Sequence, residues 1–152
     1  FTRYYRELQE LMSIGYPSVR ASDINSRHAE FDSASPLTNM FLPSLGRVHT
    51  LRARSEASRR ATQLSYAVHI QHARTGQWPK SLDELPSEFG SEIRTDPFTG
   101  RPFAYRLGKD GPTIYSASEN GVDDNGLHHP RWGDNAGDDV ASDDYVFWPP
   151  QE

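Results

Sequence analysis

The chain contains no cysteine, which removes disulfides, thiolate metal sites and cysteine nucleophiles and leaves the redox compartment open. It has no apolar run near the roughly 18 residues that a bilayer span requires, and no signal peptide is visible. Because the chain opens on Phe1, a fragment or processed product is expected, with any targeting or anchoring segment lying upstream. Catalytic signatures are missing too: no Gly-x-Ser-x-Gly elbow, no phosphate loop, no His-Glu-x-x-His and no dinucleotide fingerprint. The paired acids Asp123-Asp124 would do acid–base work only in a cleft of contrasting environments, and an open, Gly-rich loop is a poor candidate. A non-enzymatic protein is expected.

Positive charge is scarce in the tail. From Glu119 onward nine Asp or Glu face only Arg131, a balance of −8, whereas the preceding residues balance at +3. The net charge of −5 therefore comes from the tail alone. Carboxylates this dense repel one another and favour disorder unless a cation holds them. A hard divalent metal is the natural counter-ion, and a solvated acidic loop is the plainer alternative.

Length and composition allow one domain with an appendage. The 152 residues suffice to bury a core, and 3 Trp, 7 Tyr and 7 Phe compensate for a hydrophobic fraction of 35%. Phe1, Tyr4, Tyr5, Leu8, Leu11 and Met12 fall at helical spacing, so a short amphipathic helix is expected over 1–12, ended by Gly15-Tyr16-Pro17. Residues 18–44, rich in Ser, Asn and Asp, read as a connector.

A long helix is expected from after Pro43-Ser44 to about Ala73. Ala57, Ala61, Leu64, Ala67, Val68 and Gln71 share one face, which Tyr66 and Ile70 widen, and Gly76 and Pro79 stop it. Its first half carries Arg47, Arg52, Arg54, Arg59 and Arg60 against Glu56. These arginines suit either solvent or a contact with anionic lipid or an acidic partner. Ser81-Leu82-Asp83-Glu84-Leu85 has the form of a capping box opening a second short helix that ends before Gly90. Asp96-Pro97-Phe98-Thr99-Gly100-Arg101-Pro102 reads as turn chemistry. Strands are expected from Phe103 to Leu107, from Thr113 to Ser116 after the turn Gly108-Lys109-Asp110-Gly111, and from Tyr145 to Trp148. The order implies an α+β fold, with a long N-terminal helix packed on a small antiparallel sheet and a long acidic loop before the last strand.

From Ala61 onward an ordered set of features emerges: Tyr66, Gly76-Gln77-Trp78-Pro79, Ser81-Leu82-Asp83-Glu84-Leu85, Asp96-Pro97-Phe98-Thr99-Gly100-Arg101-Pro102, Tyr105, Tyr115-Ser116, Asn120-Gly121 and Asp123-Asp124. Together they resemble the C-terminal domain of the G-type (major) pseudopilins of type II secretion, or a pseudopilin-like extracytoplasmic protein. The resemblance covers residues 45–148, which sets off 1–44 as an N-terminal extension from a domain over 45–152.

The resemblance implies a helix that starts in the inner membrane, a Ca2+ ion bound in the loop before the last strand, and subunits that stack into a short pseudopilus. Carried over by position, it implies side-chain ligands from Asn120, Asp123 or Asp124, and one or both of Asp143 and Asp144, with backbone carbonyls near Ser116 and Ser118. The family commonly has Gly at the Ser118 position and Asp at the Asn120 position. Pro17, Pro36 and Pro43 depart from its continuous helical rod. The implied location is periplasmic or cell-surface, with membrane contact only through an upstream segment. Protein partners or self-assembly are implied; the alternative is a stand-alone calcium-stabilised binding module.

Ca2+ suits the donor chemistry, since it takes about six to eight oxygens from carboxylates, amides and carbonyls. An EF-hand does not fit: aligning Asp123, Asn125 and Gly126 with its third, fifth and sixth positions puts Trp132 where a bidentate Glu is required. Mg2+ demands stricter octahedral geometry. His128-His129 with Asp134 would suit Zn2+ but reads equally as plain surface, and His69 and His72, at i and i+3, share the same ambiguity. An acidic chain without an aromatic-interleaved basic motif is not expected to bind nucleic acid.

Overall fold

A computed structural model describes residues 36–119, 121–127 and 144–149, together with Arg6, Ser13 and Gly15. The element order is helix α1 (Pro36–Thr75), three single-turn 3-10 helices (Leu82–Glu84, Ser87–Phe89, Glu92–Arg94), then strands β1 (Ala104–Gly108), β2 (Gly111–Ser116) and β3 (Tyr145–Trp148). The long helix packs on a small antiparallel sheet, the α+β arrangement expected from the sequence. Arg6 and Ser13 are helical; the rest of the helix expected over 1–12, and of the connector as far as residue 35, lies outside the described residues.

The chain divides into two compact units, Phe1–Ser55 and Glu56–Glu152. In the first, Ala53 and His49 are buried while Val48 and Leu51 are exposed. In the second, the helix contributes Ala57, Ala61, Leu64, Ala67 and Val68 to the core, and the remainder adds Leu82, Leu85, Phe98, Phe103, Ile114, Tyr115 and Val146. Leu64 and Val68, both fully buried, are the largest side chains of that stripe.

Three expectations are corrected, the first on the helix face: Tyr66 and Ile70 do not widen the buried stripe but are exposed. The helix begins at Pro36, not after Pro43-Ser44. Proline suits the first helical position, where its missing N–H has no intrahelical partner. Pro43 forfeits one bond to the turn before it, a cost of about 3 kcal/mol that does not end the helix here. The second short helix is instead a chain of 3-10 turns, because Pro86 separates the first from the next. Ser81 makes no side-chain cap bond. Glu84 does reach back, but its carboxylate accepts from the amide of Lys80, at 2.7 Å.

The helix stop behaves as expected: Gly76 is left-handed (φ 73°) and its amide donates to the His72 carbonyl at 2.7 Å. The arginines Arg59 and Arg60 do more than face solvent. Arg60 binds Glu56 (2.7 Å), the Thr95 carbonyl (3.1 Å) and Glu92 (3.2 Å), tying the helix to the last 3-10 turn. Arg94 donates to the Leu85 and Pro86 carbonyls, and Arg74 pairs with Glu88. At the helix end, His72 stacks on Trp78 (3.9 Å), and His69 meets Trp78 and Trp148 edge-on.

The sheet order is β1-β2-β3, antiparallel throughout. The hairpin closes with Gly108 opposite Gly111, a two-residue Lys109-Asp110 turn. Tyr115 pairs with Val146 and Ser116 with Tyr145, so the two ends of the acidic loop leave the sheet side by side.

Candidate metal centre

The connection from β2 to β3 spans residues 117–144, of which 117–119, 121–127 and Asp144 are described. Left-handed residues fold its first part tightly: Ser118 (φ 52°), Gly121 (68°), Asn125 (61°) and Gly126 (77°). The Gly121 amide donates to the Ala117 carbonyl at 3.1 Å. The Asp123 carboxylate accepts from the Asn125 amide at 2.9 Å, a side-chain-closed turn that Asp forms readily. The loop then returns to the sheet. The Leu127 carbonyl accepts from the Asp144 amide at 3.0 Å, and Asp144 Oδ2 accepts from the Gly126 amide at 2.6 Å.

Asp123 and Asp124 are thereby brought near enough to Asp144 for their charges to act on it. Asp144 is fully buried. Burial pushes its carboxyl up, the amides of Gly126 and Asp124 pull it down, and the charges of Asp123 and Asp124 push it up again. Asp124 is half-buried, and its Oδ2 is shut from solvent with no hydrogen-bond partner among the described residues. A desolvated, unpartnered carboxylate oxygen among like charges is costly unless a cation or a proton meets it.

Asp123 is differently placed. It is exposed, and its Oδ1 is shared by the Tyr115 hydroxyl (3.0 Å) and the Asn125 amide. The Tyr115 hydroxyl is pushed up to about 12 by burial first, then by its bond to Asp123 and the charges of Asp123 and Asp144.

Ser116 and Ser118 are both buried. The Ser116 hydroxyl donates to Asp96 Oδ2 at 2.8 Å and accepts from the Ser118 amide at 3.0 Å. Its side chain is thus committed to Asp96 and Ser118. Asn120 and Asp143 lie outside the described residues, as do His128, His129 and Asp134. Among the described residues, no group of three or more His, Cys, Asp or Glu side chains is arranged to hold a metal ion. A site here needs carbonyl or amide oxygens beside its carboxylates.

Sequence reasoning missed Asp96, read there as turn chemistry alone. It is buried and accepts from the Phe98 amide (2.9 Å), the Thr99 hydroxyl (3.1 Å) and Ser116. Burial pushes its carboxyl up against the pull of those bonds. The Asp-Pro-Phe-Thr spacing signals the local bonds; nothing in the sequence signals the link to Ser116, twenty residues away. No protein-family description, curated protein or solved structure matches this chain. Among the described residues, no helix is long and apolar enough to cross a membrane.

Proposed function

We propose that the chain is a non-enzymatic, calcium-binding, pseudopilin-like domain, a structural component or relative of a type II secretion pseudopilus that acts outside the cytoplasm. The observation that carries the metal is the nearness of Asp124, whose Oδ2 is buried without a partner among the described residues, to the buried Asp144. The order of long helix, hairpin, acidic loop and closing strand supports the pseudopilin-like reading.

Ca2+ is the cation these donors suit. They are hard oxygens of mixed kind, held by irregular backbone that tolerates a flexible shell. Asp124 and Asp144 would hold the ion, with carbonyls of the 116–118 segment beside them, and Asp123 would support the turn. The ion would offset the burial and, with it, the repulsion that raise Asp144, and would fix the loop against backbone entropy.

Calorimetric titration tests this reading. Calcium should bind with one site, magnesium much more weakly, and Asp124→Ala should abolish the heat while circular dichroism stays unchanged. Calcium heat that survives Asp124→Ala undiminished would refute the assignment. Sedimentation with and without calcium then separates an assembling subunit, which self-associates, from a stand-alone binding module, which remains monomeric.

A further inference from the structure

The structural requirements of the loop create a chemically labile dipeptide. Position 126 favours glycine through its backbone: its φ is 77°, a conformation that side-chain-bearing residues rarely adopt, and a Cβ there would stand in ordinary contact with the Tyr115 ring at 3.4 Å. Position 125 is also left-handed, at φ 61°, which selects Asn, Asp or Gly. Aspartate there would add one more negative charge beside Asp123, Asp124 and Asp144. The result is Asn125-Gly126, with Asn125 exposed, and Asn is among the thermolabile residues. Glycine makes the pair worse, because the nitrogen that follows the asparagine is unhindered.

We infer that Asn125 is a latent deamidation site whose reactivity is held in check by the hydrogen bond from the Gly126 amide to Asp144. In the reaction, the Gly126 nitrogen attacks Cγ of Asn125. A C–N bond forms, the Cγ–Nδ2 bond breaks, and the nitrogen's hydrogen leaves with Nδ2 as ammonia. Water then opens the cyclic imide at either carbonyl, leaving aspartate or isoaspartate at position 125. The attacking nitrogen must give up its hydrogen, and that hydrogen is donated at 2.6 Å to a buried carboxylate. Losing it beside an anionic oxygen is disfavoured, and the bond must break before the nitrogen can attack. The same contact that closes the neck of the loop thus sets the chemical lifetime of Asn125. Its release converts the turn to a form with an extra negative charge and, in the isoaspartyl product, a longer backbone. This inference rests on the loop contacts alone and does not need a bound metal.

The test incubates the intact protein at mildly alkaline pH and follows, by peptide mapping, the mass gain of amide-to-acid conversion at Asn125. The same chain unfolded in urea supplies the reference rate. A charge-assisted hydrogen bond that must be broken predicts folded-state deamidation slower by roughly tenfold or more, and Asp144→Ala should restore most of the unfolded rate. Equal rates in folded and unfolded chains would overturn the inference, as would a folded Asp144→Ala protein that protects Asn125 fully. Should Asp144→Ala not fold, hydrogen exchange on the unaltered protein decides. The Gly126 amide should exchange far more slowly than a free peptide, and exchange at the free rate would refute the contact that the inference requires.

Discussion

Asp96 joins the 96–102 turn to β2 through Ser116, and Tyr115 joins β2 to the acidic loop through Asp123, so each can be tested by one substitution. Asp96→Ala removes the acceptor for the Phe98 amide and for the Thr99 and Ser116 hydroxyls. Leaving such donors unsatisfied in a buried site should cost about 2–4 kcal/mol in urea unfolding. A loss near zero would show that the buried carboxylate is dispensable. Asp96→Asn keeps one acceptor and should cost distinctly less. At Tyr115, burial is the largest cause of the rise to about 12, with the Asp123 bond second. Asp123→Asn should therefore bring the phenol part of the way down, read as tyrosinate absorbance against a Tyr115→Phe control. A phenol unmoved by the substitution would mean that Asp123 does not face it.

At the scale of elements, the helix stripe and the strand pairing carry the fold. Leu64 is fully buried, and Leu64→Ala should cost about 2–5 kcal/mol. Ala61→Leu should cost about 1–3 kcal/mol by overpacking. Tyr66→Ala, on the exposed side of the same helix (67% exposed), should stay within about 0.5 kcal/mol. Denaturant midpoints for the three would reveal whether the stripe is assigned correctly.

These elements were legible because their signals are local. Periodicity marked Ala57, Ala61, Leu64, Ala67 and Val68; Gly76 marked the helix end; Gly108 and Gly111 marked the hairpin. The 3-10 chain over 82–94 was misread because a capping-box pattern is a local signal that Pro86 and the non-local bonds of Arg60 and Arg94 override. In the candidate site, Asp123, Asp124 and Asp144 were visible as an acidic concentration. Their division of labour was not: which oxygen is spent on Tyr115 and which is left buried depends on where β3 brings Asp144 back beside β2. The Asp96–Ser116 link was hidden for the same reason.

Across the whole molecule, the acid groups pull stability in opposite directions with pH. Asp96 and Asp144 are raised, so the folded chain holds their protons more tightly than the unfolded chain does. Their contribution is fully present below the ordinary carboxylate value and is lost as pH rises through the raised values. Glu56, lowered to about 2 by its bond to Arg59 against burial and with help from Arg60, contributes with the opposite sign: its stabilisation is lost as pH falls towards that value. It is only half-buried, so solvent screens part of its share.

In chelator, Asp144→Asn should flatten the decline with rising pH between the carboxylate range and neutrality, measured as urea midpoints. An unaltered slope would remove Asp144 as its source. Calcium competes with the proton at a raised carboxylate, so its stabilising effect should grow over that same range and vanish in acid.

Thermal unfolding at neutral pH, first in excess chelator and then at increasing calcium, tests the central claim most directly. If the carboxylates of the β2–β3 loop hold calcium in the folded state alone, the melting temperature must rise on calcium addition and keep climbing with its concentration, and Asp124→Ala must abolish the rise. Melting curves that superimpose with and without calcium would contradict the account.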